Sequence, residues 1–559
     1  MGFGPIPRAG WHVLSTTVQN RTIVRNANDC KHLRTLLLMA VTDTIAALHR
    51  AGVIDPRQLA ALSAAALRWG PSLATVYAAG ALRHPQRPAV IDHRGSLTFR
   101  HLDARSTSLA KGLRAMGLEA GQHLGLLCHN HRDFVEANVA AAKAGLAAVY
   151  LNTGFAPPQL AEVIEREQVA GLVVDTDLLP TVEASGATVP IVEADGESGG
   201  GPTMRSTRAA GQRRLAILPS RPAGPVLLTS GTTGTPKGAQ RDRVSVDMAT
   251  ATGILQRIPY RAGDVFVIPC PLFHAWGLSQ LVLAAALGST AVLVRRFDPH
   301  ATVEAVARHQ GTVLAVVPVM LQRMLAADAV DGHDVSSLRV VASSGSALPG
   351  HLALAWMDRV GDTLYNLYGS TEVGQATIAT PDDMRAAPGT AGMVIPGSTV
   401  AILDAAGDEV PTGSEGEIFV GNAAQFSNYT GGGSKERRKG LMSSGDVGYL
   451  DASGRLFVTG RADDMIVSGG ENVFPGEVED VICAQPDVLD AAVVGVPDPD
   501  FGQRLAAFVV ARPGSDLDAK AVREVVAGRL ARHKVPRDVT FVDELPRTTT
   551  GKLLRRELG

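Results

Sequence analysis

From Thr75 onward, short runs rich in Val, Ile and Leu alternate with helix-like stretches, and this alternation constrains the fold more than any other feature of the chain. Strand and helix in strict succession give a parallel sheet, because each crossover helix returns the chain to the same end of the sheet and covers one of its faces. The clearest strand candidates are residues 124–128, 171–174, 265–268, 290–294, 313–317 and 338–342. From Thr399 the texture changes. T-V-A-I-L-D, G-E-I-F-V-G and G-R-L-F-V-T-G alternate with turn residues and predict small antiparallel sheets. Residues 431–439, with their S-K-E-R-R-K run, read as an exposed loop. The predicted class is therefore α/β, passing into antiparallel structure towards the C-terminus.

A chain of 559 residues is too long for one ordinary core, and 45% hydrophobic with 19% charged residues is the composition of a globular protein. Two or more domains are expected. A formal net charge of -2 gives no overall basic footprint for nucleic acid, so anionic ligands must be handled locally. Cys30, Cys128, Cys270 and Cys483 lie far apart and form no C-x-x-C pair, which speaks against a zinc site or a disulfide framework and fits a reducing cytosol. The string L-L-C-H-N-H-R-D-F places Cys128, His129 and His131 together as a metal-like triplet, and a metal there is disfavoured. The apolar run at residues 36–41 is far shorter than the ~20 residues a membrane span requires, and it is not placed like a signal peptide. Residues 33–50 and 56–69 read as two helices, with Leu37, Val41, Ile45 and Leu48 among their apolar positions. Such a pair could dock on the core, form a homodimer or touch a membrane surface peripherally, and core packing is the preferred reading. The first 30 residues show little periodicity, which leaves open both disorder and a start site further along.

The richest local signal is L-L-T-S-G-T-T-G-T-P-K-G-A-Q at residues 227–240. Thr229, Ser230, Thr232, Thr233 and Thr235 supply hydroxyls among Gly231, Gly234 and Gly238, so backbone amides and side-chain donors can converge on one polyanion, with Lys237 as a point charge. Pro236 before Lys237 and Gly238 after it exclude the nucleotide loop that requires Gly-Lys-Ser/Thr. No G-x-G-x-x-G follows a strand pattern, so a dinucleotide site has no fingerprint either.

Six further strings follow in order: P-L-F-H-A-W-G (271–277), S-S-G-S-A-L-P (343–349), N-L-Y-G-S-T-E (366–372), S-G-D-V-G-Y-L-D (444–451), G-R-A-D-D-M-I-V-S-G-G-E-N-V-F-P-G-E-V-E (460–479) and P-R-T-T-T-G-K (546–552). Together with the loop they resemble the adenylate-forming synthetases, the superfamily of acyl-CoA synthetases, peptide-synthetase adenylation domains and beetle luciferases. The resemblance runs from about Thr75 to the C-terminus. It implies a large N-terminal domain of layered α/β subdomains with a small β-barrel-like part, at residues 73–462, and a small mobile α+β domain at 463–559. Residues 1–72 would be a helical extension. Because every phosphate and adenylate motif lies beyond Thr75, that extension is expected to lie outside the active site.

The implied chemistry needs no covalent enzyme nucleophile: a carboxylate attacks the α-phosphorus of ATP, pyrophosphate leaves, and CoA opens the acyl-adenylate. Positioning and charge neutralisation then carry the catalysis. By resemblance, Ser230 to Lys237 hold the β- and γ-phosphates, Glu372 positions Mg²⁺, and Thr371 meets the α-phosphate. Tyr368 is the ring against adenine, with Gly345, Ser346 and Ala347 as the opposite wall, and Asn366 and Gly369 belong to the same nucleotide-binding set. Asp446 accepts from the ribose hydroxyls, with Arg461 beside it. Lys552 bridges the acyl carboxylate and the α-phosphate, although a lysine in a tail with Arg547, Arg555 and Arg556 is ordinarily a solvated charge. Asp463 is the pivot of domain rotation, and Gly469 and Gly470 line the path of the CoA arm.

Peptide-synthetase domains place an Asp near the position of His274, and P-L-F-H-A-W-G has none, which disfavours an amino-acid substrate. His274 resembles the gate of the acyl entrance, and Trp276 an acyl-pocket residue. The strings look like those of bacterial, particularly actinobacterial, fatty-acid–CoA ligases, so the expected substrate is a medium- to long-chain fatty acid. One departure is Met442-Ser443-Ser444-Gly445-Asp446, where the family has an aromatic residue, Arg or Lys, and Thr before Gly-Asp. The alternatives are a fatty-acyl-AMP ligase that hands its adenylate to a carrier protein, and a non-catalytic binder with the same fold. The intact 465–479 segment favours CoA. Lys237, Glu372, Asp446 and Lys552 are all present, which favours an enzyme.

Overall fold

The computed structural model describes residues 42, 44–52, 54–194, 196, 201–212, 224–229, 237–240, 248–423, 425–426, 428–429, 434–468, 471–498, 502–548 and 551–558. Among these residues the strands form three sheets of fourteen, seven and five strands. At the centre of the largest lie Thr290–Leu293, Val265–Ile268, Val313–Val316, Val340–Ser343 and Leu364–Ser370, all mutually parallel. Thr290–Leu293, Val313–Val316 and Val340–Ser343 are buried along their whole length, which is why they read as continuous apolar runs and not as alternating ones. The seven-stranded sheet carries a second parallel set, Val226–Thr229, Ala147–Tyr150, His123–Leu127, Val169–Asp175 and Ile191–Ala194. Each strand expected from the sequence lies within two residues of an observed one.

The antiparallel strands after Thr399 do not stand apart. Gly392–Val394 pairs with both Gly374–Ala379 and Arg455–Arg461, so the antiparallel set continues the central parallel sheet edge to edge. This junction matters for the site, because Leu364–Ser370 and Leu441–Leu450 then open towards a common space. The five-stranded sheet begins only after the long strand Arg455–Arg461 has ended, with Ile466–Ser468, Glu471–Val473, Val488–Asp498, Gly502–Ala511 and Asp538–Phe541 packed on its own apolar cluster.

The helix Pro56–Trp69 occupies the span read from the sequence. The Asp55 carboxylate caps it by accepting from the Arg57 amide at 2.8 Å, and Gly70 closes it at a φ of 64°. The other expected helix, 33–50, is described from residue 42 and is helical over 44–50; its earlier part lies outside the described residues. Ala47 and Ala51 are buried in the main core cluster, so this segment packs on the body of the protein. No helix of the described residues is long and apolar enough to cross a membrane.

Candidate active site

Two parallel strand ends and one antiparallel corner build this side of the site. The strand Val340–Ser343 runs out into Ser344 and Gly345, and Gly345 takes a φ of 93°, a left-handed turn that a side chain would strain. Beside it, Asn366 pairs with Ser343, and Ser344 Oγ donates to the Leu367 carbonyl at 2.8 Å. Gly369 cannot be replaced, because a Cβ there would lie 2.2 Å from the Gly374 oxygen. The corner beyond it is tied by Ser370, whose hydroxyl donates to Glu372 Oε2 at 2.9 Å and accepts from the Glu372 amide at 3.2 Å.

Asp446 enters from the long strand Leu441–Leu450, directly opposite Arg461 on Arg455–Arg461. Tyr368 Oη donates to Asp446 Oδ2 at 2.7 Å, and Arg461 Nη1 stands 3.5 Å from Oδ1. Burial raises the Asp446 carboxyl above the usual range, opposed by the Tyr368 hydrogen bond and the charges of Arg461 and Lys435. Burial also pushes the Tyr368 hydroxyl far up, so it stays a donor. The departure at Ser443-Ser444 has a clear local role: Ser444 Oγ donates to the Ile418 carbonyl at 2.9 Å and accepts from the Asp446 amide at 3.1 Å, while Ser443 Oγ accepts from the Gly445 amide at 3.1 Å. The turn that presents Asp446 is held by these two hydroxyls. Lys435, in the stretch read as an exposed loop, donates to the Ser444 carbonyl at 2.9 Å and lines the same cavity. A lone lysine in a charged run carries no sequence signal of such a position.

Arg461 also reaches Asp463, with Nε 2.8 Å from Oδ1, so one guanidinium joins the acid of the site to the segment between the two parts of the chain. The Asp463 carboxyl is held low: its burial works against this, but Arg461 and the nearby Lys552 outweigh it. Lys552 sits on a small hairpin closed by Gly551 N to Thr548 O and Thr548 N to Lys552 O, both 2.8 Å. Arg547 anchors that hairpin through Gly551 O at 2.8 Å and Asp490 Oδ2 at 2.7 Å. Arg555 binds Glu479 and the Val493 carbonyl. These two arginines are structural anchors and not the solvated tail charges that their setting in the sequence suggests. Gly551, at a φ of 79°, lies so close to Val319 that a Cβ would fall 2.2 Å from Val319 Cγ1. The terminal hairpin is thus seated against the body of the protein, with Lys552 facing the cavity.

That cavity has a volume of about 1920 Å³ and is lined by Gly345, Ser346, Ala347, Asn366, Tyr368, Gly369, Thr371, Glu372, Asp446, Arg461, Lys552, His274 and Trp276. Asp463 borders it only through Arg461, and its neighbour Asp464 lines it. Residues 230–236, and hence Ser230, Gly231, Thr232, Thr233, Gly234 and Thr235, lie outside the described residues, as do Gly469 and Gly470. Thr229 and Lys237, at the two ends of that loop, are opposed in the antiparallel pair Val226–Thr229 and Lys237–Gln240.

His274 precedes the helix Ala275–Ala286, which runs along the cavity. Its Nε2 is buried with no hydrogen-bond partner among the described residues, although the residue as a whole is only half-buried, and burial pushes the ring down to about 4. A neutral imidazole therefore stands at this point. Trp276 is fixed by its Nε1 donating to the Val316 carbonyl at 2.9 Å. The same cavity is also lined by the apolar residues Val282, Leu283 and Leu255, and by Leu48, Gln58 and Leu62. Residues 1–72 were expected to stay clear of the site, but Leu48, Gln58 and Leu62 are among the residues that line its cavity.

The metal-like triplet resolves into a hydrogen-bond network. Cys128, His131 and Asp175 cluster, as do His129, Asp175 and Asp177. His131 Nε2 is 2.6 Å from Asp175 Oδ1, and its Nδ1 accepts from the Asp133 amide to cap the helix Arg132–Ala144. Arg295 Nη2 lies 3.4 Å from Asp175 Oδ2 and Arg296 Nη2 2.6 Å from Asp177 Oδ2, so both carboxylates are also ion-paired.

Residues 77–430 match the model of the AMP-binding enzyme family, and residues 477–552 match that of the AMP-binding enzyme C-terminal domain. A feruloyl-CoA synthase of Amycolatopsis sp is 33% identical over 484 residues, covering 85% of this chain and 96% of that protein. A fatty acid–[acyl-carrier-protein] ligase, ScoC, of Streptomyces coeruleorubidus is 32% identical over 489 residues, covering 86% and 94%. Among solved structures, an anthranilate CoA ligase, AuaEII, in complex with anthranoyl-AMP aligns with a TM-score of 0.80 at 25% identity, over 87% of this chain and 96% of that one. ATP-bound MatB from Rhodopseudomonas palustris aligns with a TM-score of 0.77 at 28% identity, over 87% and 98%.

Proposed function

The chain belongs to the AMP-binding enzyme family, and within its AMP-forming acid–CoA ligases we propose that it activates a medium- to long-chain fatty acid. Its substrates are a carboxylic acid, ATP and CoA, with Mg²⁺ as the usual ion. The observation that carries the choice of acid is the lining of the cavity: Lys552 and Asp446 share it with His274, Trp276 and an apolar set, Leu255, Leu278, Val282 and Leu283, which we read as an apolar arm. An apolar arm of this kind suits a hydrocarbon chain whose one charged end stays with the polar groups.

In this reading the acid's carboxylate lies by Lys552 and attacks the α-phosphorus of ATP. Lys552 neutralises the charge that builds between the two anions, which is worth most where water is excluded. Thr371 meets the α-phosphate, and the loop from Thr229 to Lys237 holds the outgoing pyrophosphate. Asp446 takes the ribose hydroxyls, with the Tyr368 ring and the Gly345 turn bracketing adenine. Glu372, oriented by Ser370, offers a hard carboxylate group on the cavity wall, the ligand type that Mg²⁺ takes. That ion would supply charge neutralisation at the phosphates. We place the domain boundary at Asp463, where rotation would withdraw Lys552 and bring Gly469 and Gly470 in for CoA. The alternative acceptor is a carrier protein, and the 32% identity with a ligase that uses one supports keeping it.

The test is acid-dependent ATP–pyrophosphate exchange across straight-chain acids and across aryl acids such as ferulate and anthranilate, followed by consumption of free CoA. The reading expects exchange to peak with medium or long chains and CoA to be consumed with release of AMP. Peak exchange with an aryl acid would refute the fatty-acid assignment.

A further inference from the structure

Two N-terminal helical segments, both ahead of the part of the chain that matches the family model, contribute Leu48, Gln58 and Leu62 to the lining of the cavity. Their attachment is specific. Gln58, only 5% exposed, donates from its amide to the Ala286 carbonyl at 3.0 Å and accepts from Arg83 Nη1 at 2.6 Å. Arg83 is in turn held by Asp55 at 2.6 Å. Arg50 donates to the Leu255 carbonyl at 2.9 Å, and Gln256 donates to Thr44. Ala286 ends the helix Ala275–Ala286, and Leu255 lies in the last turn of the helix Met248–Arg257. Both carbonyls belong to the set that a helix leaves without an internal partner at its C-terminus. The extension thus satisfies the free ends of the two helices that flank the arm. Between these fixed points Leu48 and Leu62 face the same space as Val282, Leu283 and Leu255.

We infer that Leu48 and Leu62 are specificity-determining residues: they form the end wall of the acyl chamber and set the length of the acid that the enzyme accepts. The inference rests on the reading that this arm holds the acyl group, whatever its chemical class. A wall built from side chains, and not from the sheet, changes depth with one substitution. Leu→Trp at either position shortens the chamber and Leu→Ala deepens it. A pocket that discriminates by size typically separates substrates differing by one methylene by ~10-fold or more.

The experiment compares the full-length wild type with Leu48→Trp, Leu62→Trp, Leu48→Ala and Leu62→Ala in ATP–pyrophosphate exchange, with straight-chain acids from butyrate to palmitate. The readout is the ratio of kcat/KM for the longest acid used to that for the shortest. The Trp variants are expected to lower this ratio by about tenfold or more and the Ala variants to raise it. Should the wild type use only aryl acids, the fatty-acid assignment fails, and the same ratio is read from benzoate to ferulate. Should the Trp variants not fold, the Ala variants decide. A ratio that stays within about twofold of wild type in every folded variant overturns the inference, because a wall that sets length must move the profile.

Discussion

Glu372 and His274 illustrate how single groups take their properties from the cavity. Glu372 is positioned by a two-way hydrogen bond with Ser370 and lines the space assigned to the phosphates. Glu372→Gln keeps the shape and removes the charge, so adenylate formation should slow by roughly tenfold or more and require more Mg²⁺, since charge-assisted contacts are about twice as strong as neutral ones. Adenylate formation at the wild-type rate with an unchanged Mg²⁺ requirement would remove Glu372 from the metal's coordination. His274 makes a prediction in pH. The folded chain holds it neutral down to about 4, whereas the unfolded chain takes up a proton below about 6.5. The unfolded state therefore binds more protons in that window, and the stability owed to a neutral His274 is complete above about 6.5 and lost as pH falls towards about 4. His274→Phe should accordingly lose less Tm than the wild type between those values. Parallel curves of Tm against pH would show that this ring does not titrate differently on unfolding.

At the scale of elements, the terminal hairpin is the most demanding piece. Gly551 combines a φ of 79° with contact against Val319, so neither the backbone nor the space tolerates a side chain. A non-glycine residue in that left-handed region costs ~1–2 kcal/mol before any clash. Gly551→Ala should displace Lys552 and slow adenylate formation by about tenfold or more, while thioester formation from preformed acyl-adenylate keeps its rate. Equal slowing of both steps would mean that the hairpin is needed for the fold at large. Element by element, legibility in the sequence followed burial. Val265–Ile268 and Val313–Val316 were readable because both faces are buried and only apolar residues fit. Thr399–Leu403 and Gly416–Gly421 were readable as strands, but nothing in their alternation tells which sheet edge they extend. Arg547 and Arg555 looked like solvated charges, since a basic residue near a terminus gives no sign of Asp490 or Glu479 waiting some sixty to eighty residues earlier.

Taken whole, the molecule divides its work between a polar centre spelled out by motifs and an apolar arm that no motif describes. Tyr368, Asp446, Arg461 and Lys552 were visible because their chemistry fixes both residue type and neighbours, and the fold brings all four to one cavity. Leu48 and Leu62 were invisible as cavity residues, since an amphipathic helix announces that it has a buried face without saying what that face meets. In the proposed reading, one mobile C-terminal part serves two successive half-reactions, with Lys552 used only in the first. This reading is tested most directly by the single-turnover rates of adenylate formation and of thioester formation from preformed acyl-adenylate, in Lys552→Ala and Gly470→Leu. A crossed pattern is expected: Lys552→Ala slows the first step by roughly 10²–10³-fold, the scale of losing one transition-state donor, and barely alters the second, while Gly470→Leu does the reverse. If both variants slowed both steps alike, the two-faced C-terminal part would be contradicted and Lys552 would be a structural contact.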